Sequence, residues 1–176
     1  IQTKGLTLLT DPGVYSTGQN ALIGIDVVLI THEHADHLHI DSLKEVLKNN
    51  PHAQVITNAG VGKRLDEQSI PHTLLEVRNM NVKEVMIEAF DCRHEEIFEE
   101  LAQVRNTGYF IDDFLFYPGD AFCEPGKPVQ VLALPVVGPW CRLADAIRYA
   151  LAVNPKKAFP VHDGTLQRER IGSAHK

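Results

Sequence analysis

The run Ile25-Asp26-Val27-Val28-Leu29-Ile30-Thr31-His32-Glu33-His34-Ala35-Asp36-His37 joins two unlike halves. Its first half is almost unbroken apolar, and β-branched side chains dominate it. That is the composition of a strand covered on both faces. Its second half sets three imidazoles and a carboxylate within six residues. An extended chain projects His32, His34 and Asp36 in one direction, and a tight turn brings His37 round to the same cavity. Imidazole nitrogen and carboxylate oxygen are ligands for zinc, manganese or iron. Crowding such groups with no ion to share is costly, so the cluster points to a metal site at the end of a buried strand.

Around this run, strand and helix patterns alternate. Leu6–Thr10 reads as a strand stopped by Asp11-Pro12-Gly13. A helix follows the histidine cluster through Leu43, Val46 and Leu47, capped by Asp41 or Ser42, with Glu45 placed for a capping box, and it ends at Asn49-Asn50-Pro51. Ala53–Asn58 is a short strand, and Ala59–Leu65 starts a helix. Leu74–Val77, Val82–Phe90, Tyr109–Phe116 and Val129–Leu134 read as further strands. Leu143–Ala152 is a helix, and Lys157–Val161 is a last strand that delivers His162-Asp163-Gly164. Glu95–Val104 reads as a helical turn or an irregular insert, and its glutamates as a solvated face. The strands outnumber those of a simple βαβ series, so sheets covered by helices are expected.

The chain has 176 residues, of which 44% are apolar, enough for one domain with a real core; residues 1–176 are read as that domain. No apolar run is long enough to span a bilayer. The net charge of −6 disfavours nucleic acid as a partner. Cys92, Cys123 and Cys141 form neither an even framework nor a CxxC pair, which suits free thiols in a reducing, cytoplasmic setting. A small-molecule substrate is expected, and a homo-oligomer is compatible. The chain starts with Ile1, so a few leading residues are expected to be missing.

The spacing of His32-x-His34-x-Asp36-His37 resembles the central motif of the metallo-β-lactamase superfamily. Later elements appear in the family's order: His94 in Asp91-Cys92-Arg93-His94, Asp120 in Tyr117-Pro118-Gly119-Asp120, and His162 in Val161-His162-Asp163-Gly164. Asp11-Pro12-Gly13 resembles its early aspartate turn, which is structural rather than ligating. The stretch Leu134–Trp140 is similar to the branch of metal-dependent hydrolases that includes ascorbate-phosphate lactonase-like proteins. The resemblance implies an α+β fold, the four-layer αββα sandwich with two mixed sheets. It also implies two divalent ions, zinc first, manganese or iron as alternatives. His32, His34 and His94 would hold one ion; Asp36, His37 and His162 would hold the other. Asp120 would bridge, and Asp36 and Asp120 would be the catalytic carboxylates. Departures are the family's additional strand, not seen before Leu6, a short tail at Thr165–Lys176, and Ala121 where a threonine is usual.

Three further side chains are candidates for the substrate pocket. Trp140 could cover an apolar part of the substrate or pack as a helix-start residue in the core. Arg93 and Arg142 could hold a phosphate or carboxylate, or lie on a solvated face. Asp163 is either a partner to a ligating histidine or a turn residue. His39 and His52 read as surface or loop residues. Cys92 reads as a buried small apolar residue rather than a nucleophile. Gly60-Val61-Gly62-Lys63 lacks P-loop spacing. The implied reaction is hydrolysis of a small ester or lactone-like substrate by metal-activated water. A phosphodiesterase, an iron-based redox protein and a non-catalytic, metal-stabilised module are the competing readings.

Overall fold

A computed structural model describes residues 1–99 and 101–164, and the tail named above lies outside the described residues. Strands β1 (Gln2–Thr3), β2 (Leu6–Thr10), β3 (Val27–Leu29), β4 (Gln54–Thr57) and β5 (Thr73–Leu74) form one sheet in that order. Only the β1–β2 pair is antiparallel. Helices α1 (Ile40–Asn49) and α2 (Ala59–Asp66) are the crossovers between β3, β4 and β5. The second sheet contains β6 (Asn79–Val82), β7 (Val85–Asp91), β8 (Thr107–Ile111), β9 (Leu115–Tyr117), β10 (Val131–Pro135) and β11 (Lys157–Val161). It begins as an antiparallel meander and becomes parallel from β9, with α3 (Leu143–Val153) crossing from β10 to β11.

Strand alternation builds the layers. Val27 and Leu29 face the space between the sheets, where they meet Leu6, Leu8, Ile56, Ile87, Tyr109 and Ile111. Val28 and Ile30 face the other way and pack with Leu43 and Val46 of α1 and Val61 and Leu65 of α2. On the second sheet Phe110, Phe116 and Leu132 pack with Tyr149 of α3. Each sheet thus carries one sandwich face and one helix face, and the order of layers is α, β, β, α.

Several local expectations change. Val82–Phe90 is not one strand, because Lys83 adopts a left-handed φ of 52° and turns the chain between β6 and β7. Tyr109–Phe116 likewise folds into the β8–β9 hairpin, turned at Asp112 and Asp113 with φ of 57° and 49°. The acidic pair there is a turn rather than a strand face, consistent with the tolerance of aspartate for this conformation. Leu74–Val77 contributes only Leu74 to a strand, and Val77 has φ 46°. The N-cap position of α1 is His39 rather than Asp41 or Ser42, with no side-chain cap, and Glu45 pairs with Lys48 instead of closing a capping box. Residues 95–99 and 101–104 are irregular, so their glutamates do not form a helix face. A two-residue strand, β1, does precede Leu6.

The cysteine reading also changes. Cys92 follows β7 and Cys123 follows β9, two strands of the same sheet, and their Cα atoms lie 5.5 Å apart in a disulfide. Cys141 is the free thiol. A separation of 31 residues gives no sign of the pairing in the sequence. Among the described residues no helix is long and apolar enough to cross a membrane.

Candidate metal centre

Strands β7, β9, β10 and β11 run in one direction, so the segments after β7, β9 and β11 leave the sheet at one edge. His94, Asp120 and His162 stand on those three segments. The segment after β3 brings His32, His34, Asp36 and His37 to the same place. Among the described residues these seven side chains form two groups, His32–His34–His94 and Asp36–His37–Asp120–His162, with ligand atoms of each group within 4.8 Å of one another.

Close backbone packing makes this convergence fit. A Cβ on Gly13 would lie 1.6 Å from the Asp36 carbonyl oxygen, so only glycine lets the Asp11-Pro12-Gly13 turn lie against the histidine loop. Gly119 has φ +65°, and a Cβ there would meet Asn106 Oδ1 at 2.2 Å and Thr31 Cβ at 2.9 Å. Asn106 in turn accepts the Asp120 amide through Oδ1 and donates to the Cys92 and Pro118 carbonyls, joining the His94 and Asp120 segments. His162 itself is left-handed, φ 61°, an unusual state for a non-glycine residue.

The outer ring nitrogens of His32, His37, His94 and His162 are anchored, which leaves their inner ones for a ligand, whereas His34 places Nδ1 3.1 Å from His32 Nε2. Thr31 Oγ1 donates to Asp11 Oδ2 and therefore accepts from His32 Nδ1 at 3.0 Å. His37 Nδ1 donates to Asp11 Oδ2 at 2.8 Å. His94 Nδ1 and His162 Nδ1 donate to the carbonyls of Glu95 and Val137. Such partners fix the tautomer and aim Nε2 inward. Asp11 is the hub, since it also accepts the Thr31 amide and the Tyr117 hydroxyl.

The fit to cations can be tested on the inner atoms. Among the described residues, Nε2 of His37, His94 and His162 and Oδ1 of Asp120 are buried and meet no partner in good hydrogen-bond geometry. Native proteins rarely tolerate several such orphans together. Asp120 Oδ2 lies 3.1 Å from His162 Nε2, 3.5 Å from His94 Nε2 and 3.9 Å from His32 Nε2, while Oδ1 lies 3.1 Å from His37 Nε2. One carboxylate thus faces both groups. Histidine and carboxylate donors in this number suit divalent zinc, manganese or iron.

Electrostatics agree. Burial, reinforced by neighbouring imidazoles, keeps His32 and His34 below the ordinary histidine range and so neutral. Burial opposes ionisation of Asp120, but the His162, His37 and His94 imidazoles outweigh it and hold the carboxyl far below its usual range. Burial also opposes charge on His37 and His162. For His37 it is overcome by Asp11 and Asp120, and for His162 by Asp120 and Asp36, which push both up to about 10.

Above the ligand groups lies a cleft lined by Val14, Tyr15, Ile97, Val137, Pro139 and Trp140, among others. Asp36 and His162 are on its floor. Asp163 lines a neighbouring polar recess with Tyr15, Ser16 and Tyr117. Trp140 is buried, lines the cleft, and donates from Nε1 to Asp120 Oδ2 at 3.0 Å. Arg93 is exposed beside His94, in a separate groove. Arg142 stands at the N-terminal boundary of α3 without capping it, its guanidinium forked onto Asp145, and does not line the cleft. His39 bonds Ser42 and His52 is exposed, both away from the centre. Gly60 and Gly62 are packing positions inside α2, against Glu33 and His72. The sequence reading missed Tyr117, Asn106 and the Trp140–Asp120 bond, none of which has a motif of its own.

A family model described as the beta-lactamase superfamily domain matches residues 1–162. The Mycobacterium tuberculosis protein Rv0786c is 32% identical over 171 residues, spanning 94% of this chain and 79% of its own length. A solved structure from Parabacteroides distasonis is similar with a TM-score of 0.73 at 22% identity, covering 95% of this chain and 79% of that one. The metallo hydrolase Igni18 from Ignicoccus hospitalis has a TM-score of 0.69 at 17% identity, covering 92% and 76%. With the sandwich, the order of its histidine segments and a match that runs almost from end to end, the chain belongs to the beta-lactamase superfamily.

Proposed function

We propose that the chain is a binuclear metal-dependent hydrolase of small ester or lactone-like substrates. The observation that carries this is the pair of inward-facing donor groups sharing Asp120 beneath an open cleft. His32, His34 and His94 would hold one cation, Asp36, His37 and His162 the other, with Asp120 between them. Zinc is the first choice, manganese or iron the alternatives. Bound there, divalent ions supply a lowered pKa for water and polarisation of the scissile oxygen.

The chain's own residues do the rest. Asp120, its backbone amide held by Asn106, keeps the two groups in register. Asp36 is partly exposed on the cleft floor, its Oδ2 3.3 Å from His162 Nε2, and accepts a proton there from water approaching the substrate. Val14, Ile97, Val137 and Pro139 hold the carbon skeleton and exclude bulk water. Among the described residues no lysine or arginine lines this cleft, which favours an uncharged carbonyl substrate over a phosphodiester.

The test is an assay of the purified, cation-reconstituted protein on a panel of lactones and aryl esters beside bis(p-nitrophenyl) phosphate. Lactone or ester turnover that His37→Ala abolishes supports the reading. Turnover confined to the phosphodiester transfers it to the phosphodiesterase class. Cation-dependent stability without turnover of either panel identifies a non-catalytic module.

A further inference from the structure

Asp120 Oδ2 is the most crowded acceptor in the centre. It faces His94 and His32 of one group and His162 of the other, at 3.5, 3.9 and 3.1 Å. The indole N–H of Trp140 approaches the same oxygen at 3.0 Å, from a ring only 9% exposed. That ring is wedged beside the ligands, its centroid 5.7 Å from that of His162 and 6.0 Å from that of His94, with Phe122 behind it at 5.3 Å. Gly138 makes room, because a Cβ there would lie 3.0 Å from Trp140 Nε1 and 3.4 Å from His162 Cε1. A buried indole N–H needs an acceptor, and a buried carboxylate free to rotate about its terminal bond needs something to stop it. Asn106 secures the Asp120 backbone, whereas Trp140 is, among the described residues, the neutral donor on its carboxylate.

We propose that Trp140 is a positioning residue for the metal centre, its N–H holding Asp120 with Oδ2 between the two donor groups and Oδ1 toward His37. The inference rests on the metal-centre reading above and gives Trp140 a role other than covering substrate. Removing the N–H leaves the carboxylate oriented only by the imidazoles that must turn to the cations, so cation affinity falls by about 10–100-fold, the usual effect of losing a hydrogen-bonding partner of a ligand.

Trp140 is the only tryptophan in the sequence, which allows a clean test. Affinity for Zn²⁺ is measured by competition with a chromophoric chelator for the wild type, for Trp140→Phe, and for protein in which tryptophan is replaced biosynthetically by benzothienylalanine. The last exchanges one N–H for sulfur and keeps the bicyclic ring. Both variants should bind Zn²⁺ about 10–100-fold more weakly while the cation-free benzothienyl protein melts as the wild type does. Unchanged affinity in the benzothienyl protein overturns the proposal. Failure of that protein to fold assigns Trp140 to core packing and overturns it as well. A wild type that takes up no Zn²⁺ would instead defeat the metal-centre reading itself.

Discussion

Asp11 and His37 are joined by a 2.8 Å hydrogen bond from Nδ1 to Oδ2, and Tyr117 donates to that same oxygen at 2.6 Å. Asp11 stands with φ 43°, at the turn after β2, and so reaches from one sheet to Tyr117 at the end of β9 in the other. The aspartate turn therefore supports the His37 ring and ties the two sheets of the sandwich together. Asp11→Asn should keep the volume but lose the strong acceptor. Cation affinity, read by chelator competition, is expected to fall about 10–100-fold. Tyr117→Phe removes one donor of several and should cost about 1 kcal/mol in a denaturant melt. Equal affinity in Asp11→Asn and wild type would show that His37 needs no support.

Uptake of cations should depend on pH with a definite sign. The carboxylates beside them push His37 and His162 up from 6.5 to about 10, which favours a second proton on each ring while no cation is bound. Each Nε2 then faces Asp120 as an ion pair at 3.1 Å rather than in a well-aligned hydrogen bond. Their stabilising contribution is complete below 6.5, where the unfolded chain also holds these protons, and is lost as pH rises through about 10. Ligation must displace those protons, so binding releases them and tightens with rising pH. The rise in Tm on adding Zn²⁺ is expected to be larger at about pH 8.5 than at about pH 6, and calorimetry in buffers of different ionisation enthalpy should register proton release. A pH-independent affinity would contradict the charged state of these two rings.

The Cys92–Cys123 bridge closes a loop of separation 31 and ties the segment before His94 to the one after Asp120. Chain-entropy reasoning gives such a bridge about 3–4 kcal/mol. Unfolding in the presence of a reductant should reveal a loss of that size, and thiol counting on the native protein should find one reactive cysteine. Three titratable thiols in the native state would contradict the pairing.

Gly119 offers a steric prediction. Alanine there needs a left-handed φ and drives a methyl into Asn106 and Thr31. Gly119→Ala should lose about 2–4 kcal/mol of stability. The displaced Asp120 should weaken cation binding as well. A variant with wild-type melting and wild-type affinity would mean the turn can relax.

His32, His34, Asp36 and His37 are legible in the sequence because they are close together and follow an apolar strand. His94, Asp120 and His162 are isolated in sequence, and only the resemblance picks them out; the fold then brings them in on three segments from one sheet edge. The alternation that builds the layers is visible at Val27–Ile30. What does not show is whatever depends on a single backbone choice or a distant contact. Lys83 and Asp112 turn tight hairpins without glycine, so two runs that read as continuous strands are broken in the middle. Trp140 carries an apolar ring and one donor, and nothing local says that Asp120, twenty residues earlier, is the acceptor. The cysteine bridge is hidden for the same reason.

The most direct test of the central claim is the cation content of the reconstituted protein, measured by plasma mass spectrometry after exhaustive dialysis, for wild type and Asp120→Ala. Two donor groups sharing one carboxylate predict about two ions per wild-type chain and a large loss from the variant. A wild-type chain that retains no more than trace metal under those conditions would contradict the account.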